Sequence, residues 1–169
     1  MRVVVVSDTH APRFWKGCPP ALVPALAQAD LILHAGDVCV PSVLDELAAY
    51  APVRAVLGNN DGPEVASWGS GVPETLELDL DGLTVAMIHD AGARDGRDRR
   101  MRRRFPEADL VVFGHSHIPL DVPDGAVHLY NPGSPTDKRR QPHGTYGVLR
   151  IAAGRLLSHE IVALPGRLP

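Results

Sequence analysis

The chain opens on Val3, Val4, Val5 and Val6, an unbroken run of β-branched residues, and breaks off into Ser7-Asp8-Thr9-His10. A run without alternation of apolar and polar residues fits a strand covered on both faces rather than one with a wet side. The same event recurs four times. Leu31, Ile32 and Leu33 lead into His34-Ala35-Gly36-Asp37, and Val56 and Leu57 into Gly58-Asn59-Asn60-Asp61. The apolar stretches 85–88 and 110–113 lead into His89 and into Gly114-His115-Ser116-His117. The carboxyl ends of strands in a parallel sheet line the ligand crevice, so five polar clusters at five strand ends are expected to meet in one place.

The intervening sequence supports that arrangement. Between the first three strands lie helical stretches over 21–29, entered through Pro19 and Pro20, and over 42–50, with Pro41 and Ser42 before it and Pro52 beyond. With a third strand over 53–57, the order strand, helix, strand, helix, strand predicts a parallel sheet with covering helices. Further on, Thr75–Leu80 alternates and turns through Asp81-Gly82 into Leu83–Ile88, a β-hairpin signal. An arginine-rich helix over 94–105 precedes the strand 110–113. Strands over 127–130, 145–151 and 156–163 then complete a strand-rich final third, with Ala153-Gly154 as a turn. The predicted fold is α/β: two mixed β-sheets packed face to face, flanked by helices, in one domain over 1–169.

Composition removes several function classes. A net charge of -3 gives no global electrostatic case for nucleic acid or an anionic membrane. No apolar run approaches the ~18 residues of a membrane span. The apolar stretch before Asp8 is too short for a signal-peptide core, so Met1 is expected to begin an intracellular, cytoplasmic protein. Cys18 and Cys39 form no C-x-x-C pair and are expected to be reduced thiols without a role.

The residue types at the strand ends suit a metal site. On an extended backbone Asp8 and His10 would point the same way, and so would His115 and His117. Asp37 has two oxygens and can bridge two cations, while Asn59 offers a neutral carbonyl oxygen. Two aspartates, four imidazoles and one amide form a mixed oxygen and nitrogen set suited to Mn, Fe, Zn or Ni. Ca and Mg ordinarily take more oxygens. Each piece alone is ordinary: Asp-x-His and Gly-Asp are common turns, the Gly58 cluster has turn chemistry, and His89 by itself is a strand-end histidine. All five in order, each ending an apolar strand, are not ordinary.

That ordered set, D-x-H, G-D, G-N-x-D, H and G-H-x-H, resembles the calcineurin-like metallophosphoesterase superfamily. The short length and Asn131-Pro132-Gly133-Ser134 resemble its small YfcE-like bacterial and archaeal branch. The resemblance runs from Asp8 to about Arg139 and implies a phosphate-ester substrate and two divalent metal ions, Mn first among them. Asp8, His10, Asp37 and His117 would hold the first ion, and Asp37 would bridge to a second completed by Asn59, His89 and His115. It also implies a homo-oligomer. Gly133 and Ser134 match a turn near the site.

Two positions depart from the family. Many relatives carry His after the ligand Asn, and the small branch often carries Cys, where this chain has Asn60. An amide cannot donate a proton at neutral pH, though it can hydrogen-bond a phosphoryl oxygen. Asp61 is expected to orient Asn60 or a histidine through a hydrogen bond. After His89, the family's H-G-H reads His89-Asp90-Ala91. The function so implied is dinuclear-metal-dependent phosphoester hydrolysis by activated water, a phosphodiesterase favouring leaving groups that depart unprotonated. The alternative is a catalytically weak, metal-binding interaction scaffold resembling the retromer subunit of the same fold.

The remaining polar features read as structural. Seven arginines lie in 94–105, yet Met101 and Phe105 at i, i+4 and the interleaved Asp95 and Asp98 describe a solvated helix pinned by two apolar residues. His34 is expected in the core, and His128, His143 and His159 receive no role.

Overall fold

A computed structural model describes residues 1–165 of the chain; positions 166–169 of the expected domain lie outside the described residues. The chain runs β1 (Arg2–Val6), α1 (Val23–Leu26), β2 (Leu31–His34), α2 (Ser42–Ala48), β3 (Val53–Ala55) and α3 (Pro63–Ala66). It continues through β4 (Thr75–Leu80), β5 (Leu83–Ile88), α4 (Arg97–Arg104), β6 (Leu110–Val112), β7 (Leu120–Val122), β8 (His128–Asn131), β9 (Thr145–Ala152) and β10 (Arg155–Ala163). Two mixed five-stranded sheets result, ordered β10-β9-β1-β2-β3 and β4-β5-β6-β8-β7.

The parallel pairs are the ones that carry the polar clusters. In the first sheet β1 and β2 run parallel with Val3 opposite Leu31 and Val5 opposite Leu33, and β3 joins with Val53 opposite Ile32. In the second, β6 runs parallel to both β5 and β8. Antiparallel strands β10, β4 and β7 form three of the four sheet edges and parallel β3 the fourth; between β4 and β5, Asp81 and Gly82 both take positive φ (54° and 84°), as a two-residue turn between twisted strands requires.

The valine run explains the layering. Val3 and Val5 face the second sheet and pack with Leu33, Val85, Met87, Leu110 and Val112. Val4 and Val6 face the other way, onto Leu22 and Leu26 at α1 and Val43, Leu44 and Leu47 of α2. Beyond the second sheet, Ala86, Val111 and Leu129 meet Met101 and Phe105 around α4. Both faces of β1 are therefore dry, and all four valines are fully buried.

The expected helices are shorter than their apolar stretches. Around α1, prolines at 19, 20 and 24 supply no amide, and only one helical turn forms between flanking turns. Strand β3 stops at Ala55 because the amide of Leu57 leaves the sheet for the carbonyl of Pro73. The arginine helix begins after Gly96, whose φ of 66° is left-handed, rather than at position 94. Met101 and Phe105 pin it as expected. Arg97 and Arg102 donate to backbone carbonyls, of Gly92 and of Ala126, Pro106 and Ala108 respectively. The expected strand 127–130 lies one residue later, and the short β7 and α3 were not anticipated.

Candidate metal centre

The loops after β1, β2 and β6 share one backbone device. Asp8 and His10, Asp37 and Cys39, and His115 and His117 all adopt left-handed φ, between 47° and 71°. The extended backbone expected for the D-x-H and H-x-H pairs is thus corrected: alternate residues are left-handed, which coils each loop tightly at its strand end. A non-glycine residue there carries strain, tolerated where surrounding contacts over-determine it. Those contacts are present. The amides of Asp8 and His10 donate to the carbonyls of Gly36 and Asp37 (2.9 and 3.0 Å), locking the first two loops together.

Backbone amides hold the carboxylates. His115 N–H donates to Asp8 Oδ2 (3.0 Å), and Ser7 Oγ donates to the same oxygen (2.7 Å). Asn60 donates twice to Asp37, from its backbone to Oδ1 and from its side-chain amide to Oδ2, each at 2.8 Å. Asp61 makes neither of the contacts expected of it. Its carboxylate instead accepts from the amides of Asp37 (3.0 Å), Gly58 (2.8 Å) and Cys39 (2.6 Å), so it fixes two loops rather than a side chain. Glycine is required where loops touch: a Cβ on Gly58 would collide with Asp37, and one on Gly114 with Ser7 Oγ and, at 2.8 Å, Asp8 Oδ2.

The histidines point inward by the same logic. His89 Nδ1 donates to the carbonyl of Ala35 (2.7 Å) and His117 Nδ1 to that of Asp137 (2.5 Å), which turns both Nε2 atoms toward the carboxylates. Asp37 Oδ2 lies 3.4 Å from His10 Nε2 and 3.4 Å from His89 Nε2. Asp8 Oδ1 lies 3.4 Å from His117 Nε2 and 4.0 Å from His89 Nε2. Two donor groups follow, Asp8 with His10 and His117, and Asp8 with Asp37 and His89. Asn59 and His115 sit at the rim: Asn59 Oδ1 is 3.2 Å from His89 Nε2 and 2.9 Å from His115 Nδ1. All seven expected donors therefore meet, five in the centre and two at its edge.

Burial shapes the charges. Asp8, fully buried, has its carboxyl pushed up to about 7 by desolvation, against the pull of His89 and Ser7 and with the help of neighbouring Asp37. Burial also works against ionisation of Asp37, but hydrogen bonds from His89 and Asn60 hold its carboxyl well below the usual carboxylate range. Desolvation lowers His10 and His117, keeping them neutral. His89 is desolvated too, yet the carboxylates of Asp37 and Asp8 raise it. Crowded carboxylates and imidazoles facing one point form a donor set that dications fit, because cationic charge compensates what burial penalises.

Sequence reasoning read the segment from Asn131 to Ser134 as a turn near the site and missed how it supports these donors. Ser134 Oγ donates to the carbonyl of Asp8 (2.8 Å) and accepts from the amide of Asp137 (2.8 Å), and Thr136 Oγ1 donates to the carbonyl of Thr9 (2.9 Å). Asn131 Nδ2 donates to the carbonyl of Gly114 (2.8 Å). The resemblance placed Gly133 and Ser134 in a turn near the site but gave no sign of these partners. His34 is in the core as expected: Nδ1 accepts from the amide of Gly36 (3.2 Å), so Nε2 carries the proton and meets Thr9 Oγ1 (3.0 Å). Both cysteines are free, half-buried thiols, and Cys39 Sγ lies 3.7 Å from His10 Nδ1.

Comparison with known proteins points the same way. Residues 1–154 match the family described as the calcineurin-like phosphoesterase superfamily domain. A probable metallophosphoesterase of Methanothermobacter thermautotrophicus is 35% identical over 164 residues, covering 96% of this chain and 92% of the relative. Wild-type Vps29 of Entamoeba histolytica complexed with Zn2+ shares the fold at TM-score 0.77 and 22% identity, covering 97% of this chain and 98% of that one. A structure of an archaeal phosphodiesterase shares it at TM-score 0.74 and 21% identity, covering 97% and 100%.

Proposed function

The chain belongs to the calcineurin-like phosphoesterase superfamily, and from that membership we propose that it is a single-domain, dinuclear-metal-dependent phosphodiesterase. One observation carries the reading: Asp37 Oδ2 stands 3.4 Å from imidazoles of both donor groups, where a bridging carboxylate belongs. Asp8, His10, Asp37 and His117 would hold one cation, and Asp37, Asn59, His89 and His115 the other, with Mn the preferred metal. Two cations held there would supply water activation at neutral pH and charge compensation for the phosphoryl oxygens. The protein acts in the cytoplasm, as a homo-oligomer.

The chain's own residues prepare that chemistry. The carbonyls of Ala35 and Asp137 fix His89 and His117 in the tautomer that presents Nε2. Asp61 ties the β2 and β3 loops by three backbone amides, setting the spacing between Asp37 and Asn59. Asn60 holds its amide against Asp37 and donates a hydrogen bond to a phosphoryl oxygen, but has no proton to give a leaving group. Esters that depart unprotonated are therefore favoured, bis-p-nitrophenyl phosphate over alkyl monoesters.

The test compares wild type and Asp37→Asn for metal content, by elemental analysis, and for hydrolysis of bis-p-nitrophenyl phosphate with Mn. Loss of metal together with a fall in turnover of at least about 100-fold is expected, since even partners behind a ligand are worth ~10–100-fold. Unchanged metal and turnover would overturn the bridging role. The alternative, an interaction scaffold resembling the retromer subunit, predicts bound metal without turnover in wild type. The complete donor set weighs against it.

A further inference from the structure

Away from the candidate centre, three side chains from three strands meet at one edge of the sandwich. Asp121 comes from β7, His128 from β8 and His159 from β10. His128 Nε2 lies 2.6 Å from Asp121 Oδ1, and His159 Nδ1 lies 2.5 Å from Asp121 Oδ2. The two rings stand edge to face with centroids 4.9 Å apart. Ligand atoms of all three fall within 4.8 Å of one another.

We propose that Asp121, His128 and His159 form a separate binding site for one borderline divalent cation of the zinc or nickel type. Two imidazoles and one carboxylate are the donors such ions take, whereas Ca and Mg ask for more oxygens. The side chains are 23%, 10% and 33% exposed, so the ligands are partly shielded while one side stays open for water to complete the coordination. The frame is rigid. Tyr130, two residues after His128, is fully buried and donates its hydroxyl to the carbonyl of Glu160, the neighbour of His159, at 2.6 Å. That contact holds β8 of one sheet against β10 of the other and presets the distance between the two imidazoles. To take the cation, each neutral ring would carry its proton on the nitrogen away from Asp121, leaving the nitrogen beside Asp121 free for the metal. The ion thereby links the outer strands of the two sheets.

The test measures zinc stoichiometry by equilibrium dialysis for the full-length wild type and for the double variant His128→Gln/His159→Gln. Wild type is expected to take up one equivalent more, whatever the other centre holds, while Mn-supported hydrolysis stays the same in both. Equal stoichiometry in a folded double variant overturns the proposal. Should that variant lose its native circular dichroism, His159→Cys with Co2+ decides instead. A thiolate-to-cobalt charge-transfer band absent from wild type supports the site, and no band overturns it.

Discussion

On the proposed function Asn60 stands where a departing alkoxide would be protonated, and its amide has no proton to give. An imidazole there would supply one, and general acids are worth ~100-fold or more when well placed. Asn60→His is therefore expected to raise turnover of an alkyl monoester relative to an aryl diester by about 10- to 100-fold. An unchanged ratio in parallel initial-rate assays would refute the leaving-group argument. A second expectation concerns His34. Burial, with some help from His89, lowers it to about 3, against 6.5 when exposed. Between those values the unfolded chain binds a proton that the folded one refuses. His34 therefore costs stability as pH falls from about 6.5 toward 3, by up to about 1.4 kcal/mol per pH unit. Urea titrations across that window should show the slope reduced in His34→Gln; identical slopes would contradict it. Residue identities at the centre were legible because each donor closes an apolar run. The role of Asp61 was not, since its partners are backbone amides of the loops holding Asp37, Cys39 and Gly58, which no spacing reveals.

Among the elements, the segment after β8 does more than turn. Ser134 holds the carbonyl of Asp8 and the amide of Asp137, and Asp137 in turn fixes His117. Ser134→Ala leaves buried groups unpaired, which costs about 1–3 kcal/mol. Metal affinity is expected to fall with it, as His117 loses its orientation. Thermal melts and metal titrations read the two effects separately; a variant that melts and binds like wild type would show that the segment is a plain turn. The strands of the two parallel cores were readable from unbroken apolar runs, and the hairpin from Asp81-Gly82. Three- and four-residue elements such as β7 and α3 were not, because they are too short to display a period. Left-handed φ at His10, His115 and His117 was equally hidden, since it is imposed by contacts between loops distant in sequence.

The two sheets stand back to back, with helices outside and one end drawn into a buried centre of carboxylates and imidazoles. In metal-free protein the buried Asp8 carboxyl, at about 7, ionises later than in the unfolded chain at 3.8. Its contribution is complete below about 4 and lost as pH rises through 7, opposite in sign to that of His34. Bound cations remove the penalty. Chelated protein is thus expected to weaken from pH 4 to 7 relative to loaded protein, and metal uptake near neutral pH to release protons, measurable by calorimetry in buffers of different ionisation heat. Uptake without proton release would contradict the burial argument for Asp8. Convergence of five strand ends was legible from the order of the motifs, whereas the Asp121, His128 and His159 cluster was not, because its members come from strand edges far apart in sequence. The most direct measurement is anomalous diffraction from crystals grown with Mn2+. Two peaks flanking Asp37, one beside His10 and His117 and the other beside His89 and Asn59, are the predicted result; a single peak, or none touching Asp37, would contradict the shared-carboxylate centre.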